Sequence, residues 1–368
     1  MSIVGVDFGT ATFTVANAAG AGAQRGGITI VLNEGTSRFT AGLVTFHDNK
    51  RHVGHLAAPL ARAQYKNTIS RLKCFIGRKF SDPFVQAELK NVNYSVVQLD
   101  DDEIGMQVNH NGETLTFKPT QLLAMQLANI VEFTQAYSGK KNVEMVMSVP
   151  AFFTDAQRRA VRDAAAIANV RLLKLINEST ATALSYGIFR RAKFNDDESK
   201  PTNVMFVDMG NTNFSATVVA FTKQGIQVKG CSYERNVGGY YMDIGIANAM
   251  ADQFQKKTGV DIRQHPKSFI KAQISAEKVK KTLSPDGVKI AKCSIECLYQ
   301  EHDFRYQIKQ DEFNEMFQPL ADRIKRPILE ALAMAGLEKT DLDSVEMVGG
   351  GVRVPIIKRT IAEVLGTN

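Results

Sequence analysis

Only four cysteines occur in 368 residues. Cys293 and Cys297 bracket Ile295 in the alternating run KIAKCSIECLY, so all three are expected on one side of a strand. No second pair of ligands stands near them, which argues against a metal site, and both are expected to be buried free thiols. There is no apolar run long enough to span a bilayer. The opening MSIVGVDFGT lacks a basic region and carries an aspartate in its apolar stretch, so it does not resemble a signal peptide. With neither feature, the cytosol or a similar compartment is the expected location. A Walker A loop is missing too, since SGKK at Ser138 to Lys141 lacks the upstream glycine and the hydroxyl partner. No G-x-G-x-x-G follows a strand, which disfavours a dinucleotide fold. The net charge of +7 comes without any DNA- or RNA-binding signature. Its main basic runs, Lys278 to Lys281 and Lys358 to Arg359, lie on helical patterns and are expected to be solvated faces, so no nucleic-acid or membrane partner is expected.

What is present is ordinary globular composition, 44% hydrophobic and 23% charged, in a chain long enough for two domains or lobes. The stretch around which it is organised is FVDMGNTNF, Phe206 to Phe214. An apolar strand from Val204 runs into Asp208, turns at Gly210, Asn211 and Thr212, and leaves through Phe214, Ala216 and Val218. A turn of this kind lets backbone N–H groups approach an anion, and the acid beside it suits a hydrated metal ion that shares the anion's charge. IVGVDFGTATFTVANA, Ile3 to Ala18, is a near-copy. Val6, Asp7, Gly9 and Phe13 match Val207, Asp208, Gly210 and Phe214 at a constant offset of 201 residues. MVMSVP, Met145 to Pro150, leads to a helix capped by Thr154 with Gln157 three residues on, and with an apolar stripe of Ala160, Val161, Ala164 and Ile167. SVEMVGG, Ser344 to Gly350, leads to a helix carrying Ile356, Ile357, Ile361 and Val364, again about 200 residues later. An internal duplication follows, with each half opening on an acid-bearing hairpin and ending on a strand, turn and helix.

Further helices are expected from Glu178 to Phe189, Thr120 to Tyr137, Met242 to Lys257 (stopped by Gly259), Phe269 to Leu283 and Asp311 to Ala335 (stopped by Gly336). The polar stretch from Arg190 to Pro201 reads as a connection between lobes 1–190 and 191–368, the second returning to a shared cleft at 344–368. The class is α/β. Asp7 and Asp208 are either turn-capping acids or, as a repeated pair, part of a metal–phosphate site. Gly349, Gly350 and Gly351 form either a packing turn or a close approach to a ring or phosphate, with Arg353 placed to stack on a base. Gly238 and Gly239 form either a plain turn or the start of a helix facing phosphate. By spacing alone Lys73 is a solvated side chain, and Glu178 is a helix-start acid interacting with the dipole.

Taken together and in order, VDFGT, NTISRLKCFIGRKF, VPAFFTDAQRRAVRDAA, LINESTATALSYG, FVDMGNTNF, NVGGYYMD, AEKVKKTLS and MVGGGVRVP resemble the ATPase domain of the heat-shock-70 chaperone superfamily. The resemblance covers essentially the whole chain. It implies the actin/hexokinase-like ATPase fold, two duplicated RNase H-like lobes around a nucleotide cleft, with ATP or ADP and Mg2+ as cofactors. By position it implies that Gly9, Thr10 and Ala11 of the first loop and Gly210, Asn211 and Thr212 of the second lie at phosphate. Lys73 would sit near the terminal phosphate, and Asp7, Glu178 and Asp208 would hold the metal's waters. Lys73, Glu178 and Asp208 would be the catalytic set. Gly238, Gly239, Gly349, Gly350 and Gly351 would touch phosphate or nucleoside. Glu277, Lys280, Lys281 and Ser284 would hold the adenosine with Arg353. Pro150 and Arg158 match positions that link nucleotide state to the rest of the chaperone.

The departures from the family pattern bear on activity. Its second loop, D-L-G-G-G-T-F-D, is here Asp208-Met209-Gly210-Asn211-Thr212-Asn213-Phe214-Ser215. The second threonine of the first loop is Ala11, and the family's R-T-T-P-S is Arg38-Phe39-Thr40-Ala41-Gly42. With GRKFSDPFVQ, SVPAFFTDAQRR and SYGIF, these changes are most similar to the heat-shock-110 branch, although NEST keeps Glu178 where that branch often has aspartate. That branch implies weak or vestigial hydrolysis, nucleotide exchange on a heat-shock-70 partner, and holding of unfolded polypeptide, by a protein monomeric when alone. The alternative is a divergent heat-shock-70 ATPase with a normal cycle. A sugar kinase or filament-forming actin relative shares the fold, but nothing here resembles a sugar-binding insertion. The family's last ATPase-domain helix, linker and substrate-binding domain are not in this sequence.

Overall fold

A computed structural model describes residues 2–18 and 27–366 of the chain. The chain divides into two compact units, Met1–Glu178 and Ser179–Asn368. The division falls at the head of the helix Glu178–Arg190, while 190/191 falls at its end.

The first unit is built on a sheet in which Arg171–Asn177, Val143–Val149, Ser2–Phe8, Thr12–Ala18 and Ile28–Ile30 lie side by side, with Thr40–Ala41 also pairing with Thr12–Ala18. Strand periodicity decides what Ser2–Phe8 shows to each side. Val4, Val6 and Phe8 enter the core, and Ile3, Gly5 and Asp7 face out. Phe8 pairs with Phe13 across the hairpin and their rings stack at 5.2 Å, which closes the turn on the core side. The helix Asp155–Ile167 starts as expected. Thr154 Oγ1 accepts from the Gln157 amide at 3.3 Å, and Gln157 Oε1 accepts from the Thr154 amide at 3.1 Å. Its apolar stripe is shorter than expected, because Ile167 in the last turn is 58% exposed. A second core gathers around Val44, Ile69, Phe75 and Met106, between two small three-stranded sheets.

In the second unit the main sheet runs Ile226–Arg235, Asn213–Phe221, Thr202–Met209, Ser344–Val348. The register shows the duplication directly. Asp7 lies across from Thr14 on its antiparallel side and Ser148 on its parallel side. Asp208 lies across from Ser215 and Val348 in the same two senses. Helices Gly239–Thr258 and Pro266–Leu283 and the hairpin of Ile290–Tyr299 with His302–Lys309 share a core that includes Met250, Phe254, Val279 and Phe304. Sheets of mixed strands with helices confirm the α/β class. No helix among the described residues is long and apolar enough to cross a membrane.

Two expectations are corrected. The single helix from Asp311 to Ala335 is two helices, Gln310–Asp322 and Lys325–Ala335. Pro327 has no N–H to give the Arg323 carbonyl, and its ring disfavours an unbroken helix at that point. Arg323 and Ile324 make tighter i→i−3 bonds instead. The cysteines are also not both buried. Cys293 is half-buried and Cys297 is exposed. The pairing of the two strands becomes irregular between Ile295 and Tyr299, and Cys297 takes φ 46°, so Leu298 turns into the core in its place.

Candidate functional site

In the first unit, the loop Gly9–Thr10–Ala11 joins the two strands of the opening hairpin. A Cβ on Gly9 would lie 2.3 Å from the Thr12 carbonyl oxygen, so only glycine fits. Thr10 is buried and Ala11 exposed. Asp7 faces out, and its Oδ1 accepts from Ser148 Oγ at 3.1 Å. Ser148 is a hydroxyl among the apolar residues Met145, Val146, Met147 and Val149 of its strand, a signal that sequence reading passed over. Lys73 is not a solvated side chain. It is 8% exposed, its Nζ donates to Glu178 Oε1 at 2.5 Å, and it stands 5.5 Å from the Phe8 ring centre. The turn that carries it, Leu72–Cys74, is anchored from beneath. Arg71, at φ 58°, is bonded to Glu88, and Tyr94 Oη donates to the Ser70 carbonyl at 2.7 Å. Burial pushes the neighbouring Cys74 thiol up to about 11, so it stays protonated and inert. Arg158 joins the two remaining segments: it donates to the Pro150 carbonyl at 3.2 Å and to Asn177 Oδ1, next to Glu178, at 2.8 Å.

Three glycines from two segments converge on the second loop. A Cβ on Gly349, which has φ 84°, would lie 2.5 Å from Asp208 Oδ1 and from the Met209 carbonyl, and one on Gly351 would lie 2.6 Å from Met209 Cγ. A Cβ on Gly238 would lie 2.4 Å from the Asn211 carbonyl. By contrast Gly210 and Gly350 have open space on that side. The helix Gly239–Thr258 does begin beside the loop, but its first amides are already engaged. The Gly239 amide donates to the Gly210 carbonyl at 3.0 Å and the Tyr240 amide to the Asn211 carbonyl at 2.9 Å. Thr212 is buried, and its hydroxyl donates to Asn213 Oδ1 at 3.3 Å.

The residues expected at adenosine separate into two groups. Glu277 and Lys281 form an exposed pair at 2.7 Å one helical turn apart, and Arg353 is exposed. Lys280 instead points toward the loop. Its Nζ donates to the Gly239 carbonyl at 2.9 Å and to Asp243 Oδ2 at 2.7 Å, while Ser284 Oγ donates to the Lys280 carbonyl. Asp243 was missed in the sequence. Its signal was a carboxylate on the helix face that also carries Met242, Ile246 and Ala247.

Burial pushes the Asp243 carboxyl up to about 6 and outweighs the pull of the Lys280 ammonium. The ordinary value is 3.8, so between about pH 4 and 6 the folded chain keeps a proton that the unfolded chain has lost. Stability from this group therefore falls as pH rises through that window. Lowering the pH from 7.5 to 5 is expected to stabilise the wild type relative to Asp243→Asn by roughly 1–3 kcal/mol. Urea titrations of both at the two pH values measure this. An unchanged gap would mean that Lys280 holds the carboxylate ionised throughout.

These residues suit a phosphate with a hydrated metal. Among the described residues no three carboxylates, histidines or cysteines form a cage for a metal ion. Mg2+ does not need one: it keeps several waters and takes one or two carboxylates with phosphate oxygens. Each unit offers one strand-end carboxylate, Asp7 or Asp208, beside a loop held open by glycine.

A family model described as "Hsp70 protein" matches residues 3–368. The chain belongs to the heat-shock-70 family. Members of this family bind ATP or ADP, usually with Mg2+, and have the two-lobed actin-like ATPase fold. The chain is 37% identical to "Heat shock 70 kDa protein 14" of Arabidopsis thaliana over 366 residues, covering 100% of this chain and 43% of that protein. It is 36% identical to the "97 kDa heat shock protein" of Strongylocentrotus purpuratus over 364 residues, covering 99% and 40%. It is 38% identical to "Heat shock protein hsp88" of Neurospora crassa over 366 residues, covering 100% and 50%. These are heat-shock-110-type members of the family, as the altered second loop suggested. The chain spans between 40% and 50% of the length of these three relatives.

Proposed function

We propose that this heat-shock-70-family chain is the ATP-binding domain of a heat-shock-110-like cytoplasmic chaperone with weak or absent hydrolysis. It acts as a nucleotide exchange factor for a heat-shock-70 partner, and the protein that carries it holds unfolded polypeptide. The observation that supports this is the loop Asp208–Ser215. Register puts Ser215 directly across from Asp208, so the aspartate that the family pattern has there would stand beside Asp208. Here one carboxylate is left, and the threonine before Phe214 is Asn213. Phosphoryl transfer depends on positioned groups and on neutralised charge, and both are reduced. Lys73, Glu178 and Asp208 are then a vestigial catalytic set that serves binding. Gly9, Thr10 and Gly210 line phosphate, Gly238 and Gly350 touch phosphate or nucleoside, and Asp7, Glu178 and Asp208 reach Mg2+ through water.

Single-turnover ATP hydrolysis at saturating binding tests the first part. The expected rate is well below that of an ordinary heat-shock-70 ATPase domain, and Asn213→Thr/Ser215→Asp is expected to raise it about 10- to 100-fold. A wild-type rate equal to the ordinary one would overturn the reading. Release of labelled ADP from a heat-shock-70 partner, with and without this protein and ATP, tests exchange. A second reading, a divergent ATPase with a normal cycle, is favoured by the retained Lys73–Glu178 pair. Stimulation of hydrolysis by a J-domain protein would support it.

A further inference from the structure

We propose that the outer face of the hairpin formed by Ile290–Tyr299 and His302–Lys309 docks an extended acidic peptide segment. The two strands are paired so that Lys292 lies across from Gln307, Ser294 from Arg305 and Ile290 from Lys309. Residues directly opposite share a face, and these six are all exposed. The other face, with Ala291, Ile295, Phe304 and Ile308, is buried in the core. These six thus carry three cations and no carboxylate, while the two exposed carboxylates of the same hairpin face, Glu296 and Asp303, lie toward its turn.

Elsewhere on this surface basic side chains are commonly matched. Lys223 pairs with Asp196, Arg323 with Glu234, Lys325 with Asp322, and Arg326 with both Glu234 and Glu330. Among the described residues, Lys292, Arg305 and Lys309 make no ion pair. A hollow of about 830 Å³ is lined by both strands and by Gln253 and Lys257 of the neighbouring helix, the Lys257 ammonium standing 5.5 Å from the centre of the inner-side Phe304 ring. Among the described residues, Glu312 is the one carboxylate that lines it.

The geometry separates peptide from nucleic acid. Single-stranded nucleic acid is gripped by exposed rings on which bases stack. The ring residues here, Phe304 and Tyr306, are 2% and 4% exposed and belong to the inner side. This sheet of two strands, on the other hand, leaves each strand one edge that no third strand occupies among the described residues. Such an edge offers main-chain donors and acceptors that an added peptide strand can match, with alternate carboxylates reaching the cations. Contacts between exposed charges are individually weak and screened by salt, so the complex should be loose and sensitive to ionic strength.

The test uses the whole chain and a fluorescein-labelled ten-residue peptide of alternating glutamate and serine, followed by fluorescence anisotropy. Binding is expected at low salt, weakened at least tenfold at about 0.3 M NaCl. Lys292→Glu/Arg305→Glu should weaken it at least tenfold with an unchanged unfolding midpoint, whereas Lys140→Glu/Lys141→Glu, which makes the same change of charge in the first unit, should alter it less than twofold. No binding by the wild type, or equal loss in the two double variants, would overturn the proposal. So would tighter binding of a single-stranded RNA of equal charge through the same two residues. The readout does not involve ATP, so it stands or falls separately from the nucleotide reading.

Discussion

Gly349→Ala should lower affinity for a fluorescent ATP analogue by a factor on the order of 100, about 2.7 kcal/mol. The residue sits at φ 84°, where an L side chain is strained whatever the space around it. The space is also taken: the added Cβ would lie 2.5 Å from Asp208 Oδ1 and from the Met209 carbonyl. Relief requires the carboxylate to swing away or the end of the strand Thr202–Met209 to shift, and either disturbs the group proposed to reach the metal's water. A loss of about 1–3 kcal/mol in folding stability should accompany it. Gly350→Ala is the contrasting variant, because its Cβ meets nothing within 4 Å and its φ is −72°. Its stability should be unchanged, and any affinity that it loses would report the ligand's own approach to that side. If Gly349→Ala binds the analogue as the wild type does, the 349–351 turn has only a packing role.

The second large effect lies beneath Lys73. Glu88→Ala should destabilise the chain by about 3–5 kcal/mol in urea unfolding, because it removes one partner of a buried ion pair. Arg71 is 6% exposed and Glu88 1%, and the Arg71 Nε–Glu88 Oε2 distance is 3.1 Å. The remaining guanidinium would keep its charge in a poorly hydrated place. Replacing both partners by apolar residues of similar volume, Arg71→Met/Glu88→Leu, should recover much of the loss. A single-variant loss below about 1 kcal/mol would mean that water reaches the pair. Since Arg71 directly precedes the turn that carries Lys73, nucleotide affinity measured on the double variant shows whether that turn needs the ion pair or only the packing.

What could be read from the sequence was local or repeated. The Asp7 and Asp208 hairpins were legible because strand alternation and a glycine turn act over a few residues, and the copy 201 residues on doubled the signal. The Thr154–Gln157 cap needs only three residues of spacing. The break at Arg323 was missed because apolar periodicity continues through it, and Pro327 acts on a backbone bond that periodicity does not register. Cys297 in a left-handed conformation has no glycine to announce it. The pairings that sequence reading did not show join side chains far apart along the chain. Lys73 meets Glu178 across 105 residues, and Lys280 meets Asp243 across 37. Helix and strand patterns predict which face is buried, but which charge waits on the neighbouring element depends on packing.

The bonds from the Gly239 and Tyr240 amides to the Gly210 and Asn211 carbonyls have a practical consequence. These two protons can exchange with solvent deuterium only when the helix head and the loop part company. In most helices the first amides exchange freely, since no earlier turn covers them. Here their exchange rates become a gauge of loop order that needs no label and no turnover. A nucleotide that tightens the loop would slow both protons together, and one that merely sits nearby would leave them at their resting rates.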